Sequence, residues 1–250
     1  MKLTHVTITG IDQRTDFCWL KDLQERYPFA EFGILMSYNW SYNGWRFPDP
    51  AICLNLGGNN FNLSAHLCGQ LAIDVMFGNT AKLKKISIDC FGIFNRCQLN
   101  LDAFGKFNYL RSVKPFSNLK EVIIQMHTPM ILDEYIRGGN PYGQSFLIDS
   151  SGGRGIDKPI SIFTSPGVHI GYAGGIGPDN VEHKLRTLLN HPSDDEFWID
   201  METWVRREDF TGEWLDRKKV ERVLELCDNI LKENNYNNYA DQERASTPVP

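Results

Sequence analysis

At 250 residues, with 42% hydrophobic and 23% charged residues, the chain has the composition of one large globular α/β domain or two small ones. A net charge of −5, from 31 acidic against 26 basic residues, and the lack of any Lys/Arg run argue against a nucleic-acid partner. No apolar run approaches the roughly 18 residues of a membrane span, and polar residues interrupt the N-terminus too early for a signal peptide, so no membrane partner is expected either. The cysteines at 18, 53, 68, 90, 97 and 227 show no CxxC pair and no metal-finger spacing, which suits reduced thiols and a cytoplasmic protein.

Eight β-rich runs follow one another: LTHVTITG at 3–10, FAEFGILMS at 29–37, FNLSAHLCG at 61–69, RCQLNL at 96–101, EVIIQMHT at 121–128, SFLIDSSGG at 145–153, VHIGYAGG at 168–175 and FWIDMETWV at 197–205. Their starts lie 23 to 35 residues apart, the length of one βα unit, so the alternation predicts a parallel eight-stranded (β/α)8 barrel. KKISIDCFGIF at 84–94 is as strand-like as RCQLNL, and the local pattern leaves open which is the fourth strand. The aromatic-rich stretch 37–60 stands where a short helix is expected and reads as a lid or a surface insertion. LDRKKVERVLELCDNILKE puts Val220, Val223, Leu224, Cys227, Ile230 and Leu231 on one helical face, with Asp216 as N-cap. One barrel domain is therefore expected over residues 1–232, with a polar, disordered tail over 233–250.

Residues two apart on a strand share a face, and one face of a barrel strand points inward. His5, Thr7 and Thr9 share a face, as do Gln98 and Asn100, Gln125 and His127, and Asp200 and Glu202; the opposite faces are mostly apolar. The barrel interior is thus expected to be polar. His66, Asn100, His127, Asp149, Asp200 and Glu202 fall near the C-terminal ends of their strands, where barrel enzymes place their chemistry. His5 and Thr7 read as buried hydrogen-bonded residues, and a salt link from Asp200 or Glu202 to Arg206 or Arg207 is the plain structural alternative to a binding role. No HxH, HExxH or DxD spacing points to a metal.

The stretch GYAGGIGPDN at 171–180 carries four glycines, three of them (Gly174, Gly175 and Gly177) close together ahead of a helix-like segment, which suits either an anion site or a tight turn capped by Asp179 or Asn180. With it, VTITGI at 6–11, FLIDSSGGRGI at 146–156, YAGGIGPDNV at 172–181 and WIDMET at 198–203 make an ordered series that resembles phosphoribosylanthranilate isomerase, one of the ribulose-phosphate-binding barrels. The likeness runs over most of the chain and is strongest in its second half.

The resemblance implies a phosphate held by backbone amides of Gly152, Gly153 and Gly155 in one loop and Gly174 and Gly175 in the next, with Asp149 as general acid. The family's base, a Cys after the first strand, is replaced by Thr9, whose hydroxyl is too weakly acidic for that work, so a base would have to come from Asp12, His66 or His127. Arg46, in GWRFP, stands where the family has an arginine in its second loop; METWVRRED replaces the family's Ser-Gly after the last strand. The implied ligand is a phosphorylated sugar or nucleotide-type molecule, contacted also by Gln98, Asn100, Gln125, Asp200 and Glu202. It would be isomerised or cleaved by acid–base chemistry, or bound without catalysis under Trp40, Trp45 and Phe47. No cofactor is implied. A homodimer is compatible with a barrel, with no patch assigned to it.

Overall fold

The computed structural model describes residues 1–39, 46–57, 60–77, 92–100, 119–127, 129–138, 143–209 and 212–246. Strands β1 (Lys2–Thr9), β2 (Ala30–Met36), β3 (Leu63–Cys68), β4 (Arg96–Asn100), β5 (Glu121–Met126), β6 (Ser145–Asp149), β7 (Ile170–Ala173) and β8 (Glu196–Met201) pair in parallel in chain order, and β1 pairs with β8 to close the barrel. RCQLNL supplies the fourth strand; most of its rival, 84–91, lies outside the described residues.

The outward faces carry the apolar residues. Val6, Ile8, Phe32, Ile34, Ala65, Leu67, Ile124, Phe146, Tyr172 and Ile199 join one core that includes Leu20 and Leu23 of helix α1 (Phe17–Arg26), Leu71 and Val75 of α3 (Gln70–Met76) and Leu132 of α4 (Pro129–Arg137). It also takes in Leu185 and Leu188 of α5 (Val181–Leu189) and Val223, Leu224 and Cys227 of α6 (Arg217–Ser246). Helix α2 (Ile52–Leu56) is a single short turn that buries Ile52, Cys53 and Leu56.

Caps follow the sequence. Asp16 accepts from the amides of Cys18 and Trp19 at the start of α1, and Asp216 from those of Lys218 and Lys219 at the start of α6. Helix α6 runs on to Ser246, beyond residue 233, although the polar composition of 233–250 predicts a tail there.

One crossover departs from the βα pattern. Residues 150–169, between β6 and β7, contain no helix. Gly152, Gly153 and Gly155 all have positive φ there, and Pro159 and Pro166 each lack an amide proton for a helical hydrogen bond. After β8, a 3-10 turn (Thr203–Val205) and an antiparallel hairpin, β9 (Arg206–Asp209) with β10 (Gly212–Leu215), precede α6.

Inside the barrel, Ile123, Leu147 and Trp198 form a small separate apolar cluster; Gly171 faces the indole, where any side chain would collide with it. Most of the interior is polar. Thr7 donates to Glu31 (2.8 Å), Arg96 reaches Glu31 (3.0 Å) and Glu121 (2.6 Å), and the Arg96 guanidinium lies 4.2 Å from the Trp198 ring centroid. Glu31 is 0% and Arg96 3% exposed, so this ion pair is held wholly out of water.

Candidate functional site

A cavity of about 460 Å³ opens at the C-terminal mouth of the barrel. Strand ends supply its floor: Thr9 from β1, His66 from β3, Gln98 and Asn100 from β4, Gln125 from β5, Asp149 from β6 and Asp200 from β8. Loops supply the walls, with Arg46 and Phe47 before α2, Gly152, Gly153 and Gly155 after β6, Gly174 and Gly175 after β7, and Glu202, Thr203 and Trp204 after β8. Thus 13 of the 15 residues expected from the sequence meet in one place.

Asp12 and His127 stand outside this cavity. Asp12 accepts from the Arg14 amide (2.9 Å) and the Thr15 hydroxyl (3.3 Å) and pairs with the Arg14 guanidinium (3.1 Å), so it closes the turn after β1. His127 lies behind Gly152; a Cβ on that glycine would sit 3.7 Å from its ring. Trp40 and Trp45 fall outside the described residues.

The floor is one hydrogen-bonded group. Thr9 donates to Asp200 (2.8 Å), Gln98 approaches His66 Nδ1 at 3.2 Å and donates to Asn100 (2.9 Å), and Asn100 donates to the Cys68 sulfur (3.3 Å). With Gln98 as donor, His66 Nδ1 is the acceptor and the ring proton sits on Nε2. His66 Nδ1 and Asp200 Oδ2 are 3.9 Å apart. Gly33 leaves the space these side chains need, since a Cβ there would press on the Thr9 hydroxyl and His66 Nε2.

Burial decides the protonation states. It pushes the Asp200 carboxyl up to about 7, with Glu31 and Asp149 pushing the same way and the Thr9 hydrogen bond opposing them. Burial also lowers His66 to about 4, so its ring is neutral at neutral pH and a weak base. Cys68, pushed up to about 12 by burial, is a thiol rather than a thiolate nucleophile. Glu202 is likewise raised by burial, against the pull of Arg46, whose Nη2 lies 3.2 Å from Glu202 Oε1. That pairing replaces the link to Arg206 or Arg207 weighed from the sequence: Arg206 pairs with Glu213 (3.6 Å), and Arg207 stacks on Trp214 (4.9 Å).

Asp149 is used as an acceptor throughout. Gln125 Nε2 (2.8 Å) and the Gly153 amide (2.6 Å) bind one oxygen, while the Ser151 amide (3.0 Å) and hydroxyl (2.7 Å) bind the other. The amide of Gly155 goes to the Ser151 hydroxyl (3.2 Å) and that of Gly152 to the Asp149 carbonyl (3.1 Å). All three glycine amides of this loop are therefore spent within it. In the next loop, Lys184 and Asn180 hold the carbonyls of Gly174 (2.9 Å) and Gly175 (2.8 Å). No hydrogen bond among the described residues starts from the amides of those two glycines.

The turn after β8 explains part of the glycine pattern. A Cβ on Gly155 would lie 2.7 Å from the Thr203 side chain, and one on Gly177 2.5 Å from Trp204 Cβ, while the Trp204 indole donates to the Gly155 carbonyl (2.5 Å). Both loops thus pack against the Thr203–Val205 turn, with Trp204 39% exposed at the cavity rim. Trp204 and Cys68 are lining residues that the sequence reading did not single out. Cys68 was findable from its place two residues after His66 on one strand face, and Trp204 from its size where the resembled family has Ser-Gly.

No protein-family model matches the sequence, and no curated protein matches it. Among solved structures, the chain is similar to a truncated form of 3-deoxy-D-arabino-heptulosonate 7-phosphate synthase from Thermotoga maritima. That likeness has a TM-score of 0.54 at 12% identity and covers 94% of this chain and 88% of the other. It is a likeness of fold: eight parallel strands closed into a barrel, alternating for the most part with helices.

Proposed function

We propose that the chain is an acid–base barrel enzyme acting on a small hydroxylated ligand of sugar phosphate type, with Asp200 as the group that takes and returns the proton. The observation that carries this reading is a carboxyl buried at the cavity floor, hydrogen-bonded by Thr9 and beside His66, whose burial pushes it up to about 7, near the working pH that suits an acid–base group. Asp149, committed to four donors, serves better as the organiser of the 150–155 loop than as the acid that the family resemblance suggests. Gln98, Asn100 and Gln125 provide the amide groups that hold hydroxyls, and Arg46 and Trp204 stand at the rim. The similar Thermotoga maritima protein is named for the synthesis of a sugar phosphate, which agrees with this ligand class.

In the proposed step, ionised Asp200 removes the proton from the hydroxyl-bearing carbon beside the ligand's carbonyl and returns it to the former carbonyl carbon, while the hydroxyl proton passes to the carbonyl oxygen through the enediol, as in an isomerase. Thr9 fixes the carboxyl through its hydrogen bond. A second reading, a binder without turnover, draws on Thr9 standing in place of the family's cysteine.

Incubation with a panel of aldose and ketose phosphates in D2O separates the two. Exchange of a carbon-bound proton, read by NMR and slowed at least about 100-fold in Asp200→Asn with binding retained, is the expected result. Binding without exchange by any member would leave the binder, and no binding at all would remove the cavity as the site.

A further inference from the structure

Behind Gly152, on the side away from the main cavity, lies an open recess lined by His127, Ser150, Gly152, Arg154, Lys158 and Ser161, with Pro129 at its edge. Gly152 lines both spaces. The two differ in charge. The main cavity sets Asp149, Asp200 and Glu202 against Arg46 alone, and Arg46 is already paired with Glu202. The recess is lined by two cations and no carboxylate among the described residues.

Arg154 is also unusual among the arginines of this molecule. Every other arginine whose side chain is described has a carboxylate within 4.0 Å or stacks on an indole. Arg154 instead donates through Nε to the Ser151 carbonyl (3.0 Å), and Lys158 donates to the Ser150 carbonyl (2.9 Å). Both bonds hold the side chain against its own loop while leaving its charge unneutralised. The terminal nitrogens of the Arg154 guanidinium form a fork suited to two oxygens of one anion.

The main cavity is poorly suited to a dianion. Its carboxylates outnumber its cations, three amides of the Gly152–Gly155 stretch are spent inside the loop, and Thr203 and Trp204 pack against both glycine loops. An anionic group is held better where positive charge is in excess.

We propose that the recess formed by Arg154, Lys158, Ser150, Ser161 and His127 is a phosphoryl-binding subsite, so that a ligand lies across Gly152 with its phosphoryl group in the recess and its hydroxylated end over Asp200. The placement of the hydroxylated end rests on the function proposed above; the anion subsite is tested apart from it. Glycine at 152 keeps the divide low, since any side chain there would stand between the two spaces and against the His127 ring.

The test is a titration of the full chain with inorganic phosphate at constant ionic strength maintained with chloride, followed by amide chemical shifts. Four proteins are compared: wild type, Arg154→Gln/Lys158→Gln, the charge-matched Lys21→Gln/Lys218→Gln, and Asp200→Asn. Saturable shifts centred on residues 150–161 are expected in wild type, in the charge-matched control and in Asp200→Asn, with affinity at least tenfold weaker in Arg154→Gln/Lys158→Gln. Both exchanged side chains are exposed, so that variant should keep the wild-type spectrum elsewhere. Equal phosphate affinity in wild type and Arg154→Gln/Lys158→Gln would overturn the subsite, as would shifts centred on Gly174 and Gly175. Equal weakening in both charge-reduced variants would overturn it too, by showing a general charge effect. Absence of carbon-bound proton exchange in the wild type in the D2O assay, with the phosphate result intact, would sink the proposed reaction and leave the subsite standing.

Discussion

Asp200 and His66 carry opposite pH signatures. Asp200, raised from 3.8 to about 7, contributes stability that is fully present below its unfolded value and is lost as pH rises through about 7. His66, lowered from 6.5 to about 4, contributes stability present above its unfolded value and lost as pH falls through about 4. Between those limits the two slopes nearly cancel. Asp200→Asn removes one of them, so its stability should rise with pH over the window where wild type is nearly flat. Relative to wild type, the variant should gain roughly 1.4 kcal/mol per pH unit between about pH 4 and 7, read by urea unfolding at a series of pH values. Parallel curves for the two proteins would show that the carboxyl titrates at its ordinary value. The sequence pairs Asp200 with Glu202 and Gln98 with Asn100 on single strand faces and puts His66 near a strand end, and the structure has Asp200, His66 and Gln98 lining the cavity floor. Strand alternation said nothing of their protonation, because the Asp200 shift comes from burial and from Glu31 and Asp149 on other strands. Asp12 was misleading for a similar reason: proximity in sequence to Thr9 does not carry it into the barrel, since Arg14 and Thr15 capture it locally.

At the scale of the element, the two glycine loops were legible as loops and only partly as to cause. The sequence suggested glycines that admit a phosphate; the structure shows several that admit protein. Gly175 has φ +63°, and a Cβ there would lie 2.5 Å from the Asp157 amide nitrogen; Gly155, also at φ +63°, faces Thr203. Gly153, at φ +75°, has open space around it. Gly155→Ala and Gly175→Ala should therefore cost more than Gly153→Ala, which bears the left-handed backbone strain alone, about 1–2 kcal/mol. Chemical denaturation of the three variants checks the order. The helix-free crossover from β6 to β7 was missed because βα spacing counts residues and does not require that the connection be helical; here positive-φ glycines and two prolines keep it from forming a helix. Trp204 anchors the turn after β8 to this crossover through the Gly155 carbonyl, so Trp204→Ala should loosen both, seen as faster amide exchange over residues 151–157.

Across the whole molecule, the barrel was readable because each strand keeps an apolar face toward the helices, and that alternation survives wherever the strand is long enough to show it. What the sequence concealed is how the polar faces combine. Glu31, on β2, reads as one acidic residue in an apolar strand, yet it joins Thr7 and Arg96 in a closed ion pair beneath the cavity floor. Removing one member strands the other in a dry interior. Arg96→Met should cost about 3–5 kcal/mol in urea unfolding, and the double change Glu31→Gln/Arg96→Met should recover part of it. If the single change cost under about 1 kcal/mol, water must reach Glu31. No helix among the described residues is long and apolar enough to cross a membrane. The proposed chemistry rests on one carboxyl, Asp200, buried at the floor of the C-terminal mouth and pushed up to about 7 by that burial. The most direct measurement is a 13C NMR titration of the side-chain carboxyl carbons, with the Asp200 signal assigned by its loss in Asp200→Asn. A midpoint near 7 is the predicted result. A midpoint below about 5, in the ordinary carboxylate range, would contradict the role given to Asp200 and with it the acid–base reading of the site.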